Sequence, residues 1–474
     1  MWSSIVWILL TGIGYLFTPL FFDHAEVNIV AVASYWLQGH PIYTSLDSVS
    51  RYSLLYGPWP YLVNAVFLKM GEAIYFLGKL PGILNLLVLL IGFYFSLGNI
   101  PRLSRILGLG ALSAVLLGYY NISYWNRPDS YLVTYTFLAL ALVILNNRIG
   151  DLATYLGVGL LAGLAANCKL HGVLYFLPVV VYFLEDSKKK INWLYFISAA
   201  ILSLLGLVLP FALNNVGGAH YLQWLQMASK HGVDMLAFVK NITFIGCFIL
   251  LLAVLGFQRK YKWTFISLIG AGIIVGLAAS KPGSGSHHFM PFLPMILFFA
   301  IQTYWAMSST DKTRLSYVWA AFLLTMSLNA FNRQKRVLEL FKQTPMRYAE
   351  LHDFEGILAN VAGPLEMGLA DIKSYESTFF KLSAIANSRG FLFDGTGLMD
   401  MHASAMDIPS TTLEHIKSCM TPYFVFPKGG EPWSIISYYD DKPLFSQSFI
   451  EVFNSTYHKE RETEYYALYS CAKK

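Results

Sequence analysis

Long apolar runs separated by short polar segments dominate the first 331 residues of the chain. A helix needs ~20 apolar residues, or ~17 at the lower limit, to cross the hydrocarbon core of a bilayer. Runs of about this length predict eleven membrane-spanning helices, near residues 3–22, 79–98, 106–122, 131–146, 152–168, 170–184, 194–213, 237–256, 264–280, 288–307 and 315–331. A twelfth apolar segment, 58–74, is short and carries Lys69 and Glu72, so we expect an interfacial helix there.

The polar connectors between these runs predict the orientation of the chain. Basic connectors stay on the cytoplasmic side of a membrane. With 58–74 at the interface, five short connectors with eleven basic residues fall on one side; they contain Arg102 and Arg105, Arg148, Lys188 to Lys190, Arg259 with Lys260 and Lys262, and Lys312 with Arg314. The first outer loop (23–78), the loop at 214–236, the turns near 123–130, 168–170 and 281–287 and the whole tail are then extracytoplasmic. Every candidate chemical group therefore lies on one face.

Composition divides the chain into two predicted domains. Overall 55% of residues are apolar and 13% are charged, against roughly 45 to 50% and about 25% in an average soluble domain. Of the 62 charged residues, 29 lie within residues 1–331 and 33 within 332–474. We therefore predict a polytopic α-helical membrane domain at 1–331 and a small extracytoplasmic α/β domain at 332–474. In the tail the pattern predicts strands at 423–426 and 435–439 and helices at 347–361 and 411–418.

Net charge and cysteine spacing exclude several classes of protein. The net charge of +6 is small, and the basic residues lie between apolar runs, which is typical of membrane topology and not of nucleic-acid binding. No Cys-x-x-Cys or His-x-x-x-His spacing indicates a zinc site. Cys419 and Cys471 would lie on the oxidising side of the membrane, so the sequence allows a disulfide between them.

The first outer loop contains two carboxylates at the predicted start of a helix, in Asp23-His24-Ala25-Glu26. Both would lie on one face, where the positive end of the helix dipole favours anions. They are candidates for general acid–base chemistry. The same spacing is also a common capping signal, and the two interpretations are compatible because a cap does not use both oxygens of each carboxylate.

A third candidate carboxylate, Asp129, stands at the mouth of a predicted span in Arg127-Pro128-Asp129. An ionisable side chain at the bilayer edge is costly unless it is hydrated or paired, so Asp129 is a functional candidate. The alternative is an ordinary helix start in which Arg127 neutralises Asp129 and the proline occupies the first turn.

Basic groups project toward the same predicted face. Lys169 and His171 flank a break between two spans, and Lys281 opens a Gly/Ser turn that ends at His287 and His288. Together these cations, imidazoles and backbone amides could hold a phosphate, although a hydrophilic turn with a snorkelling lysine is the alternative. Because adjacent side chains diverge on a helix, we expect no metal held by both His287 and His288. The sequence assigns no metal ligands and no cofactor, and leaves open whether a divalent metal assists.

The order of these motifs resembles a known family. The acidic loop ends in Gly39-His40-Pro41-Ile42-Tyr43, Tyr56-Gly57-Pro58 leads into an apolar helix, and Arg127-Pro128-Asp129 opens a later span. Over roughly residues 1–300 this arrangement resembles the GT-C glycosyltransferases, and most closely the branch of protein O-mannosyltransferases and bacterial aminoarabinose transferases.

The resemblance implies an integral membrane enzyme, in the inner or plasma membrane if the source is bacterial. It would move a sugar from a polyprenyl phosphate to a lipid, glycan or protein acceptor outside the membrane. The family's acidic pair is split here as Asp23 and Glu26, so which of them is the base stays open; the distance to Gly39 and Tyr43 favours Glu26. Asp129 falls on the family's second loop acid.

We therefore expect inverting sugar transfer with a carboxylate, Glu26 or Asp23, as general base. Asp129 would orient the acceptor or the acidic loop. The expected donor-phosphate ligands are Arg51, Lys169, Lys281, His287 and His288, and the expected positioning residues are Tyr43, Tyr56, Arg127 and His171. Two alternatives stay open, a lipid or solute transporter and a non-catalytic scaffold. Against transport, the ionisable groups gather at one membrane face and no internal repeat is visible.

Overall fold

The computed structural model describes residues 2–119, 122–187, 191–281 and 284–472. The Lys188–Lys190 connector of the topology prediction and Pro282 and Gly283 of the Gly/Ser turn lie outside the described residues. The chain forms two compact units, and each is described by itself. Unit 1 comprises Met1–Leu16, Lys79–Pro210 and Val233–Leu340; unit 2 comprises Phe17–Gly78, Phe211–Gly232 and Phe341–Lys474.

Helices make up most of the described chain. The α-helices are α1 Trp2–Leu16, α2 His24–Leu37, α3 Trp59–Leu68, α4 Ile74–Leu77, α5 Leu80–Ser96, α6 Arg102–Leu117, α7 Pro128–Ile144, α8 Asn146–Ile149, α9 Asp151–Cys168, α10 Leu177–Ser187, α11 Trp193–Val208, α12 Gly218–Ala228, α13 Met235–Val254, α14 Lys262–Ala278, α15 Leu293–Ala306, α16 Ser309–Lys342, α17 Thr344–Asn360, α18 Lys381–Ala386, α19 Gly395–Ala403, α20 Ser410–Lys417 and α21 Gln447–Thr456. Short 3₁₀ helices lie at Ile122–Tyr124, Leu170–Phe176, Leu209–Ala212, Ser229–His231, Phe257–Arg259, Ser286–Phe292 and Ile372–Phe380.

Most of the long apolar helices lie in unit 1, whereas α3 lies in unit 2. Five helices of the described chain are long and apolar enough to cross a membrane: Ile74–Ser96, Asp151–Cys168, Trp193–Ala212, Met235–Val254 and Ser286–Ala306. Further apolar helices are shorter, at Trp2–Leu16, Trp59–Leu68, Pro128–Ile144 and Lys262–Ala278. A mostly helical chain with helices apolar enough to span a membrane is therefore confirmed, while the number of eleven spans stays a prediction. The ten residues of α3 rise only ~15 Å, too little to cross a core of ~30 Å.

Close helix packing in unit 1 depends on small residues. At Gly159 of α9 a Cβ atom would lie 2.3 Å from the Ala199 carbonyl oxygen of α11, and at Gly163 it would lie 2.1 Å from that of Ser203. This four-residue spacing of glycines lets two backbones touch, which is how helices associate where lipid removes the hydrophobic driving force.

Unit 2 combines the first outer loop with the tail around one core. Its sheet has the strands β1 Leu365–Met367, β2 Tyr423–Pro427, β3 Tyr457–Glu462 and β4 Tyr466–Cys471, in the order β1-β2-β4-β3. β1 and β2 are parallel and the other pairs are antiparallel. Every residue of α2 from Ala25 to Ser34 is buried, and its apolar side chains share a cluster with Leu382, Phe393 and Trp433 of the tail. The predicted domain boundary at 331/332, a statement about the two sides of a membrane, stays a prediction.

The tail confirms most predicted elements and corrects one. The strand at 423–426 and the helices at 347–361 and 411–418 correspond to β2, α17 and α20. The strand predicted at 435–439 is wrong: the segment turns at Ser437, whose amide donates to the Lys442 carbonyl, and only Ile436 and Pro443 form a bridge. Pro443 has no amide hydrogen, so it cannot extend a ladder. Cys419 and Cys471 form the disulfide that the sequence allowed.

Candidate functional site

A buried ion pair joins two of the predicted site residues in unit 1. The Lys169 Nζ lies 2.7 Å from Asp129 Oδ1, and Arg127 Nε lies 3.6 Å from Asp129 Oδ2. Asp129 is 1% exposed and Lys169 is 7% exposed. Isolated buried charges are very costly, so the carboxylate and its two cations stabilise one another. Arg127 therefore neutralises Asp129 as the helix-start interpretation expected.

Local backbone geometry explains how these side chains meet. Pro128 occupies the first turn of α7 and Arg127 is extended at its N-cap, where a proline's missing amide hydrogen costs nothing. Lys169 is extended too and ends α9 before the 3₁₀ helix begins. The chain can turn back here because Gly172 has no side chain: a Cβ there would lie 2.2 Å from the Ala165 carbonyl oxygen.

Three imidazoles surround the same ion pair. The rings of His287 and His288 lie 4.5 Å apart and those of His171 and His288 lie 5.4 Å apart, between centroids. Tyr175 holds the segment of His287 and His288 in place by donating a 2.6 Å hydrogen bond to the His288 carbonyl. His171 Nε2 and His288 Nδ1 are buried, without a hydrogen-bond partner in the described part of the chain. These nitrogens are thus positioned to contact a ligand.

The expectation that His287 and His288 diverge is wrong. One ligand atom each from Asp129, His287 and His288 lies within 4.8 Å of the others. Only the Cα–Cβ bonds of neighbours must diverge; further side-chain torsions bring the rings together. Both rings fold back over the preceding turn, since His288 Nε2 lies 3.3 Å from Ser284 Oγ and His287 Nδ1 lies beside Gly285.

The charges around this cluster favour an anion over a metal ion. Lys169, Arg127 and Lys281, which acts electrostatically on His171, set three cations against the single carboxylate of Asp129. The donor atoms of Asp129, His287 and His288 suit zinc in type, but a divalent cation on the Asp129 carboxylate would lie beside the ammonium of Lys169 and the guanidinium of Arg127. The residues therefore do not fit a resident metal ion.

Unit 2 holds the acidic helix start. Asp23 is the N-cap of α2 and accepts a 2.9 Å hydrogen bond from the Ala25 amide, which confirms the cap interpretation for this residue. Glu26 lies in the first turn and is fully buried. The His24 ring stacks on Tyr438 at 6.0 Å and lies 5.8 Å from Tyr375, between centroids. Tyr375 and Tyr438 also interact electrostatically with Asp23, so the start of α2 lies beside aromatic side chains of the tail.

Sequence reasoning missed the charged residues that the tail brings to this helix. Asp394 is fully buried, accepts from Lys381 Nζ and from the Thr396 amide, and interacts with Asn28 of α2. Burial raises the pKa of Asp394, but the ammonium of Lys381 outweighs it and holds the pKa below its usual value. No local signal links Asp394 to α2, because more than 350 residues separate them.

The remaining predicted residues of the first outer loop are also in unit 2. Tyr43 is buried, and its hydroxyl donates to the Tyr56 carbonyl, so these two are brought together. Arg51 is fully buried and donates to the carbonyls of Ser45 and Ser50. Burial lowers the pKa of Arg51 to about 10. Arg51, Tyr43 and Tyr56 thus belong to unit 2, whereas Lys169, His171, Lys281, His287 and His288 belong to unit 1.

Comparison with known proteins identifies the fold. No protein-family model matches the chain, and no curated protein sequence does. Among solved structures, ArnT from Cupriavidus metallidurans in the apo state is similar at a TM-score of 0.63 and 10% identity, over 98% of this chain and 97% of that one. The same protein bound to undecaprenyl phosphate is similar at a TM-score of 0.62 and 12% identity, over 99% and 98%.

A second similar structure is the Archaeoglobus fulgidus oligosaccharyltransferase in complex with Zn and sulfate. It has a TM-score of 0.50 and 12% identity, over 90% of this chain and 68% of that one. These proteins are GT-C membrane glycosyltransferases, and this chain has the GT-C fold. The likeness to ArnT covers both units, whereas the motifs in the sequence indicated it over roughly residues 1–300 only.

Proposed function

We propose that this protein is an integral membrane glycosyltransferase that moves a sugar from a polyprenyl phosphate to an acceptor on the extracytoplasmic face. The observation that carries the proposal is the buried cation and imidazole cluster around Asp129 in a chain similar, over its length, to ArnT with undecaprenyl phosphate. The acceptor is a hydroxyl or amine of a lipid, glycan or protein.

The reaction is a substitution with inversion at the anomeric carbon. The acceptor oxygen or nitrogen forms a bond to that carbon while the bond to the phosphate oxygen breaks. The bonding electrons leave with the phosphate, and the acceptor's proton goes to a carboxylate. A phosphate leaving group is already a weak base, so the protein has to supply positive charge and a proton acceptor.

The unit 1 cluster supports a role in holding the donor phosphate. Lys169, Lys281 and Arg127 supply positive charge, and preorganised charge is most effective where negative charge develops in the transition state. The unpaired nitrogens of His171 and His288 can donate hydrogen bonds to phosphate oxygens in the appropriate tautomer. Asp129 orients Lys169. Arg51 stays a proposed phosphate ligand without a described contact that supports this role.

The acidic start of α2 supplies the proposed general base. Glu26 is the favoured base, and Asp23, whose Oδ1 caps the helix, is the alternative. A positioned general base contributes about 10² to 10⁴ in rate. Tyr43 and Tyr56 are proposed to position the loop that follows this helix.

Donor binding tests the role of the cluster directly. Purified protein is titrated with undecaprenyl phosphate, and Lys281→Ala should weaken binding about tenfold, or about 1.4 kcal/mol. Lys240→Ala, on α13 and exposed, is the matched control and should bind like wild type. Equal affinity of wild type and Lys281→Ala would contradict the assignment of Lys281, and no binding by wild type would contradict the proposed donor.

A further inference from the structure

A cavity in unit 1 lies at the end of α7 opposite Asp129. It has a volume of about 890 Å³ and is lined at the C-terminal ends of α7, α13 and α15, by residues that include Ile144, Leu255 and Thr303. Small-molecule sites in proteins range from about 300 to 1,000 Å³. Asp129 opens α7 and Ile144 closes it, so roughly 20 Å of helix separates this cavity from the Asp129 cluster.

Three cations line this cavity without forming an ion pair among the described residues: Arg259, Lys260 and Arg314. The two acids in its wall are engaged otherwise. Asp186 accepts a 2.6 Å hydrogen bond from the Tyr261 hydroxyl, and Asp311 accepts a 2.8 Å hydrogen bond from the Ser308 hydroxyl. Positive charge is therefore available to a ligand, while the negative charge is partly satisfied.

Aromatic and amide side chains complete the wall. The ring of Tyr261 packs on Tyr182 at 5.1 Å between centroids, and Lys260 Nζ lies 4.6 Å from the centroid of the Tyr261 ring. Asn147 and Gln302 add neutral hydrogen-bonding groups. Guanidinium groups bind phosphate through paired hydrogen bonds, and amides and phenols suit the hydroxyls that phosphate esters carry.

From this geometry we propose that the cavity bounded by Arg259, Lys260 and Arg314 binds a phosphate ester, distinct from the donor phosphate at Asp129. The ester is the headgroup of an anionic phospholipid or a soluble sugar or glycerol phosphate; both present the same group to the cations. The proposal stands independently of sugar transfer, because none of its residues belongs to the Asp129 cluster or to α2.

The test uses purified full-length protein in nanodiscs and its thermal unfolding temperature. Wild type is compared in phosphatidylcholine alone, in phosphatidylcholine with phosphatidylglycerol, and in phosphatidylcholine with added sn-glycerol 3-phosphate. The variant is Arg259→Gln with Arg314→Gln. Arg148→Gln is the matched control, since Arg148 is exposed beside the cavity-lining Asn147 but does not line the cavity.

If phosphatidylglycerol stabilises wild type and glycerol phosphate does not, the occupant is a lipid headgroup. If glycerol phosphate stabilises wild type, the occupant is a soluble ester. In either case the double variant should need about tenfold more ligand for the same shift, while Arg148→Gln behaves like wild type. The proposal is overturned if neither ligand stabilises wild type, if the double variant responds like wild type, or if Arg148→Gln loses the response equally. Retention of phosphatidylglycerol in native mass spectra of the same three proteins provides a second readout that does not depend on folding stability.

Discussion

At the scale of single residues, the ion pair of Lys381 and Asp394 connects α2 with the tail inside unit 2. Both side chains are buried, and Asp394 also caps α19 and interacts with Asn28 of the acidic helix. Removing one partner of such a pair leaves a charge in a medium that solvates it poorly. The pair therefore positions α2 relative to the tail, although neither residue is assigned a role in the reaction itself.

We expect Lys381→Met to destabilise this part of unit 2 by about 3 to 5 kcal/mol. The α19 amides should lose roughly a hundredfold or more of their protection from hydrogen exchange, which is measured by mass spectrometry. Lys373→Met is the control, since Lys373 is exposed in the 3₁₀ helix that precedes α18. This substitution should change the protection little. Unaltered protection in Lys381→Met would show that the pair does not hold this region together.

Glu366 makes the stability of unit 2 depend on pH. Burial raises the pKa of Glu366 to about 7, although the amides of Phe393 and Leu392 donate to its carboxylate. The folded state therefore keeps its proton to a higher pH than the unfolded state, in which the pKa is about 4.3. Between these two pH values the folded state binds more protons, so stability falls as pH rises.

Between pH 4.5 and pH 7 the free energy of unfolding of wild type should fall by about 3 kcal/mol. Glu366→Gln should flatten this slope, so that its unfolding temperature exceeds that of wild type most at pH 8. Identical pH profiles for the two proteins would mean that Glu366 keeps an ordinary pKa in the folded state.

At the scale of elements, the apolar pattern of the sequence predicted the buried strand β2 but not the exposed strand β3. β2 reads Tyr423-Phe424-Val425-Phe426 and is mostly buried, so its pattern was informative. β3 is charged and exposed apart from Tyr457, as edge strands often are, and gave no apolar alternation. The segment 435–439 is apolar yet is not a strand, because Pro443 opposite Ile436 cannot continue a ladder.

The disulfide should stabilise the tail through the loop that it closes. Cys419 and Cys471 are 52 residues apart, and closure of a loop of this length is worth roughly 4 kcal/mol in the chain-entropy treatment. Replacing both residues by serine should lower the unfolding temperature and expose β4 to hydrogen exchange. Replacing Cys247, which is unpaired, is the control and should have little effect; equal protection of β4 in all three proteins would contradict the prediction.

At the scale of the whole molecule, the order of weak motifs predicted the GT-C fold, but the composition of unit 2 was beyond sequence reasoning. Spans, basic connectors and the pattern from Asp23 to Asp129 are local or periodic signals. The packing of α2 against the tail brings together residues more than 300 positions apart, which no periodicity encodes. The same holds for the site: Asp129 and Lys169 were both candidates, whereas their pairing was found only in the structure.

Orientation in the membrane is a prediction at this scale. In a Cys247→Ser background, a membrane-impermeant thiol reagent should label Lys230→Cys and Glu460→Cys from the outside and Lys260→Cys only after the cytoplasmic face is opened. All three positions are exposed. The basic connectors motivate the assignment, and labelling of 230 and 260 from the same side would contradict it.

Sugar transfer itself is the most direct test of the account. Purified protein receives a radiolabelled polyprenyl-phosphate sugar and an acceptor, and the labelled product is separated from the donor. Glu26→Gln and Asp129→Asn should each reduce transfer by about 10² or more while the protein stays folded, and Asp407→Asn, an exposed carboxylate of the tail, should be unaffected. Asp23→Asn should have a mild effect if Asp23 only caps α2. Transfer at the wild-type rate by both Glu26→Gln and Asp129→Asn would contradict the assigned chemistry.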